Sequence, residues 1–113
     1  MTVSLARLIG VAIKNTDLTI STLPGGATDE LATKLAKRKT LKPNGLLLDV
    51  AYDPWPSKLA SFWTSRSQPV VSGLEMLLWQ AIAQIRIFKF GNANQALLNE
   101  IAVVQAMRDA LAE

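Results

Sequence analysis

The chain has 113 residues, half of them hydrophobic and 19% charged, which suits one small folded domain or a piece of a larger one and argues against disorder. It contains no cysteine and no histidine, so disulfide staples, thiolate metal sites and imidazole acid–base chemistry are excluded together. A formal charge of +3 is mild, and catalysis would fall to carboxylates, lysines, tyrosine or a cofactor.

Residues 3–15 place Leu5, Leu8, Ile9, Ala12 and Ile13 at spacings of three and four, which predicts a short helix. "DLTIS" (17–21) is short and β-branched and stops at "TLPGG", which predicts a buried strand followed by a loop. Residues 28–39 form a charged amphipathic helix with Thr28 as its cap. Asp29 and Glu30 open it and Lys34, Lys37, Arg38 and Lys39 close it, the charge order that suits the helix dipole. No aromatic residues interleave with these cations, so a solvated helix is favoured over a nucleic-acid patch.

"KPNG" makes a turn, and "LLLDVAY" (46–52) is a continuous apolar run, as in a parallel strand covered on both faces. "DPWPSKLASFW" leaves the sheet through two prolines and enters a short helix holding Leu59, Phe62 and Trp63. "PVVS" is a third strand, a long helix runs from about Gly73 to Phe90, and "GNANQ" breaks it before a last amphipathic helix over 95–112. The order α-β-α-β-α-β-α-α implies an α/β, partial Rossmann-like three-layer αβα arrangement with a short parallel sheet of about three strands and C-terminal helices. Its outer strands would be exposed edges.

Arg7 interrupts the first apolar run and no small-residue cleavage site follows it. Glu75, Gln80, Gln84, Arg86 and Lys89 break the greasiest stretch, so no membrane span is expected and a cytoplasmic chain is.

In open α/β sheets, ligands sit outside the carboxyl ends of the strands. That rule selects two loops, Ser21–Gly25 after the first strand and Asp49–Pro54 after the second. An aspartate at the inner end of an apolar strand is costly unless paired or facing a ligand. Asp49 therefore either caps neighbouring backbone, with Tyr52 merely packing, or belongs to a cleft. In the long helix Gly73 and Gln80 lie two turns apart, about 20° from each other around the axis, with Met76 on the same side. A ligand-facing stripe and an ordinary core helix both fit that geometry. The six glycines form neither G-x-G-x-x-G nor a P-loop.

Taken together, "DLTISTLPGG", "LLLDVAYDPWPSKL" and "VVSGLEMLLWQAIAQIRIF" resemble the C-terminal half of shikimate dehydrogenases over residues 17–90. The matching pattern is a strand end closing on Asn/Ser-Thr, a strand end Asp-x-x-Tyr-x-Pro, and a helix Gly-Leu-x-Met-Leu-x-x-Gln. Ser21 departs from the asparagine of many members. The resemblance implies that Tyr52 and Gln80 contact shikimate or 3-dehydroshikimate. It implies further that Val50, through its backbone, and Gly73 contact NADP near the nicotinamide, with Ser21, Thr22 and Met76 lining that pocket. Residues 1–91 would be the C-terminal half of an NADP-binding domain, and 92–113 the helix that packs on a substrate domain.

The family's catalytic lysine and aspartate and its glycine-rich loop have no counterpart here, so the resemblance implies a chain with no catalytic residue of its own and no metal, inactive without an N-terminal substrate-domain partner. A non-catalytic remnant or interaction module without nucleotide affinity, self-associating through the exposed sheet edge and the helix at 95–112, is the competing expectation.

Overall fold

The computed structural model describes residues 4–112. Its elements are α1 (Leu5–Lys14), β1 (Leu18–Ser21), α2 (Asp29–Ala36), β2 (Leu46–Asp49), α3 (Lys58–Ser65), β3 (Val70–Ser72), α4 (Gly73–Phe90) and α5 (Glu100–Leu111). The anticipated order is thus observed, although Val3, where the spacing starts the first helix, lies outside the described residues. The fold is α/β, with three parallel strands in the order β1-β2-β3. The chain divides into two compact units, one ending at Gly73 and the other beginning at Leu74.

In the first unit the sheet register sets Thr19 beside Leu47 and Leu47 beside Val70. Because side chains alternate along a strand, these three residues share one face. That face carries the core: Leu47 is fully buried among Ile13, Ala32, Leu35, Leu59, Phe62 and Trp63, and Val70 packs against the same cluster. Helices α1, α2 and α3 form one layer over it, with α2 touching both neighbours. The opposite face holds Leu18, Ile20, Leu46, Leu48 and Val71, all half-buried or exposed.

Several expectations need correction. The first strand is an edge strand and not a buried one, with Leu18 50% and Ile20 53% exposed. The second strand stops at Asp49, so Val50–Tyr52 belong to the loop that follows. Thr28 occupies the cap position of α2 without a side-chain cap bond, and the turn before it closes through the Asp29 N–H donating to the Gly26 carbonyl. Lys37 is the C-cap of that helix, so Arg38 and Lys39 lie beyond it. Lys34 does lie in the last turn, and Arg66 adds donors there, to the carbonyls of Ala36, Arg38 and Leu41. Of the apolar positions of α1, only Ile13 is buried and Ile9 half-buried, while Leu5 and Leu8 face solvent.

The second unit is a pair of helices. Helix α4 stops where Gly91 takes a φ of 68°, a conformation that glycine adopts without steric cost. Its N–H donates to the Ile87 carbonyl at 2.7 Å. The last helix begins at Glu100 and not at 95, because the Glu100 carboxylate accepts from Arg86 Nε at 2.6 Å and from the Leu97 N–H at 3.4 Å. A second bidentate pair joins Arg108 to Glu75. Pairing 75 with 108 and 86 with 100 fixes α5 antiparallel to α4. No residue of α5 is buried, and these two charge-assisted pairs tie it to α4.

The tie is pH-dependent. The Arg108 hydrogen bond holds the Glu75 carboxyl below the ordinary glutamate range, and the Arg86 hydrogen bond does the same for Glu100. A lowered folded-state value means stabilisation that is present above the unfolded value of about 4.3 and is lost as pH falls through the folded one. Far-UV circular dichroism should therefore show helix loss below about pH 4. The Glu75→Gln/Glu100→Gln variant should be less helical at neutral pH and should lose this pH dependence.

Candidate functional site

Each strand of a parallel sheet delivers its next loop at the same end, so the loops after β1 and β2 are neighbours by construction. Thr22, Leu23, Pro24 and Gly25 from the first meet Val50, Ala51, Tyr52 and Asp53 from the second around an open groove of about 460 Å³. Their approach is close: a Cβ on Gly25 would come within 2.9 Å of the Asp53 carbonyl oxygen. Glycine at 25 is thus a condition for the two loops to meet. Tyr52, 46% exposed, lines the groove and is not a core packing residue.

What shapes the second loop is Asp49. It is 1% exposed, and its carboxylate accepts from the Ser57 hydroxyl at 2.5 Å and from the Ala51 N–H at 3.1 Å. Ser57 in turn accepts from the Ala60 N–H, capping α3. The two readings that the sequence left open for Asp49 are thereby resolved in favour of the cap. One carboxylate folds 50–56 back, ties the end of β2 to the start of α3, and leaves Val50, Tyr52 and Asp53 to line the groove.

Gly73 begins α4 directly beneath this loop. A Cβ there would collide with the carbonyl oxygen of Val50. The close approach that demands a glycine is therefore made by the chain's own backbone. The Val50 N–H donates to the Ser21 carbonyl at 2.9 Å, so β1, β2 and the start of α4 converge on one peptide.

The residues singled out from the sequence fall into three groups. Thr22, Val50 and Tyr52 share the strand-end groove, and Gly73 abuts Val50. Ser21 lies one residue before it and lines a different, mainly apolar cavity of about 230 Å³ with Ile9, Ile13, Leu31, Leu59 and Trp63. Met76 and Gln80 belong to the second unit, where Met76 is half-buried and Gln80 is exposed on α4. Sequence reasoning missed Ser57, whose role rests on a contact eight residues away, and Gly25 as a packing residue. The signal for Ser57 was a serine opening an apolar helical run.

A further groove, of about 460 Å³, is lined by Ser4, Ala6, Arg7, Lys34 and Arg38. Arg7 and Lys34 lie on solvated helix faces and Arg38 just beyond α2, and no strand end opens into it.

No protein-family model matches the chain. It is 27% identical over 77 residues to the shikimate dehydrogenase (NADP(+)) of Dehalococcoides mccartyi, covering 68% of this chain and 27% of that protein. A shikimate 5-dehydrogenase structure from Mycobacterium fortuitum matches 90% of the chain with 32% identity and a TM-score of 0.65, over 32% of that enzyme. The shikimate dehydrogenase of Mycobacterium tuberculosis matches 92% with 35% identity and the same TM-score, over 34% of its length. Sequence and fold therefore both point to shikimate dehydrogenase, and the chain spans about a third or less of the relatives it matches.

Asp49 supplies both acceptors at the turn, so Asp49→Ala should strand the Ser57 hydroxyl and the Ala51 N–H. Urea denaturation should register a loss of about 1–3 kcal/mol, the cost of leaving a buried partner unsatisfied. Asp49→Asn, which keeps one acceptor oxygen, should lose less.

Proposed function

From this kinship we propose that the chain is the C-terminal portion of an NADP-dependent shikimate dehydrogenase, acting in the cytoplasm on shikimate and 3-dehydroshikimate and requiring an N-terminal substrate-domain polypeptide for turnover. The observation that carries the reading is the strand-end groove, with the Val50 peptide fixed between Ser21, Asp49 and Gly73. The lining suits a nicotinamide ring and its carboxamide in either redox state: backbone groups, a threonine hydroxyl, a phenol and the Asp53 carboxylate, with no cation to oppose the oxidised ring.

NADP, when bound, supplies the hydride and accepts it in the reverse direction. This chain's part is to hold and orient. The Val50 backbone and Gly73 would face the nicotinamide end, with Thr22, Ser21 and Met76 around it. Tyr52 can donate one hydrogen bond, and Gln80 can both donate and accept, which fits the vicinal hydroxyls of shikimate. No acid–base residue in the groove is assigned to proton transfer, because a lysine–aspartate pair is expected from the missing polypeptide. The reading also accounts for the absence of a glycine-rich phosphate loop, since the phosphates would be anchored by that polypeptide.

The part of the Mycobacterium fortuitum enzyme with no counterpart in this chain provides the test. Mixed with this chain, it should restore NADPH-dependent reduction of 3-dehydroshikimate, followed at 340 nm. Gln80→Ala should lower kcat/KM by roughly 10–100-fold, the loss of a hydrogen bond to a substrate hydroxyl. A mixture that binds NADP but never turns over would leave the chain as a non-catalytic module that retains the fold.

A further inference from the structure

The turn after β2 carries two carboxylates in contrasting surroundings. Asp49 is buried, and its oxygens are taken by the Ser57 hydroxyl and the Ala51 N–H. Asp53 is exposed and lines the strand-end groove with Thr22, Gly25 and Tyr52. Among the described residues it joins no ion pair. The cations nearest to it in sequence, Lys42 and Lys58, do not line the groove, and Lys58 belongs with Lys37 to a separate one between α2 and α3. The groove therefore carries one negative charge with nothing in its lining to balance it.

Such a carboxylate discriminates between ligands by their charge. The nicotinamide ring of NADP is a cation when oxidised and neutral when reduced, while the phosphates are common to both forms. A carboxylate beside the ring attracts the oxidised form and gives the reduced one no such gain. Thr22 and Tyr52, being neutral, offer the same hydrogen bonds to either.

We infer that Asp53 sets the redox preference of this groove, favouring the oxidised nicotinamide over the reduced one. The inference rests on the proposed nicotinamide-end reading and assigns, within it, the residue that tells NADP⁺ from NADPH. By linkage, tighter binding of NADP⁺ lowers the reduction potential of the bound cofactor. Asp53 would thereby bias the site towards hydride delivery from NADPH and against its recapture.

Titrations of the isotopically labelled chain with NADP⁺ and, separately, with NADPH at low salt test it, each followed through backbone amide resonances. Asp53→Asn removes the charge and keeps the shape. It should raise the ratio of the NADP⁺ to the NADPH dissociation constant by roughly three- to fivefold, the modest effect of an exposed, solvent-screened charge. Asp53→Glu should keep the wild-type ratio. At about 1 M salt, where the Debye length is about 3 Å, the effect of Asp53→Asn should shrink. A purely structural role for Asp53 would move both constants together. A ratio unchanged in Asp53→Asn overturns the inference and leaves the proposed function standing. A chain that binds neither form overturns the nicotinamide-end reading, and the inference with it.

Discussion

The first unit depends on one buried carboxylate. Asp49 ends the central strand in a place where an unpaired charge would be costly, and it is tolerated because Ser57 and Ala51 both donate to it. Those two bonds turn the chain sharply after β2 and start α3 at a defined point. Helix α3 then brings Phe62 and Trp63 over Leu47, and the Trp63 indole donates to the Gly45 carbonyl at the entrance of the same strand. Strand entry, strand exit and helix start are thereby locked to one another.

The groove follows from that arrangement. With the 50–56 loop held back by Asp49, its backbone faces the loop after β1, and Gly25 lets the two approach within contact. Gly73 lets the long helix begin against the Val50 carbonyl. A groove made largely of backbone, with Thr22, Tyr52 and Asp53 as its polar side chains, suits the proposed role of orienting a ligand whose reactive chemistry lies elsewhere. This agrees with a chain that aligns with only a third or less of its relatives and carries no histidine or cysteine.

Much of this was legible in the sequence. The period of the apolar residues gives every element in order, because burial on a parallel sheet selects long β-branched or leucine runs and the intervening helices select spacings of three and four. The strand-end rule located Thr22, Val50 and Tyr52 without reference to any relative. What eluded it depends on contacts between distant residues. Leu18 and Ile20 look like core residues because composition cannot say which strand is an edge. Thr28 looks like a cap, yet the bond that closes that turn is made by backbone. The start of α5 is displaced by Arg86, whose reach across to Glu100 leaves no local trace. The contact that requires glycine at 73 is with the Val50 carbonyl, a pairing between residues 23 apart that the sequence does not show.

The central claim, that the loops after β1 and β2 form the nicotinamide-end site, is tested most directly by following backbone amide resonances while NADP⁺ is added to the isotopically labelled chain. The account predicts shifts concentrated at Thr22, Leu23, Gly25 and Val50–Asp53. Shifts confined to Arg7, Lys34 and Arg38, or none at saturating nucleotide, would contradict it.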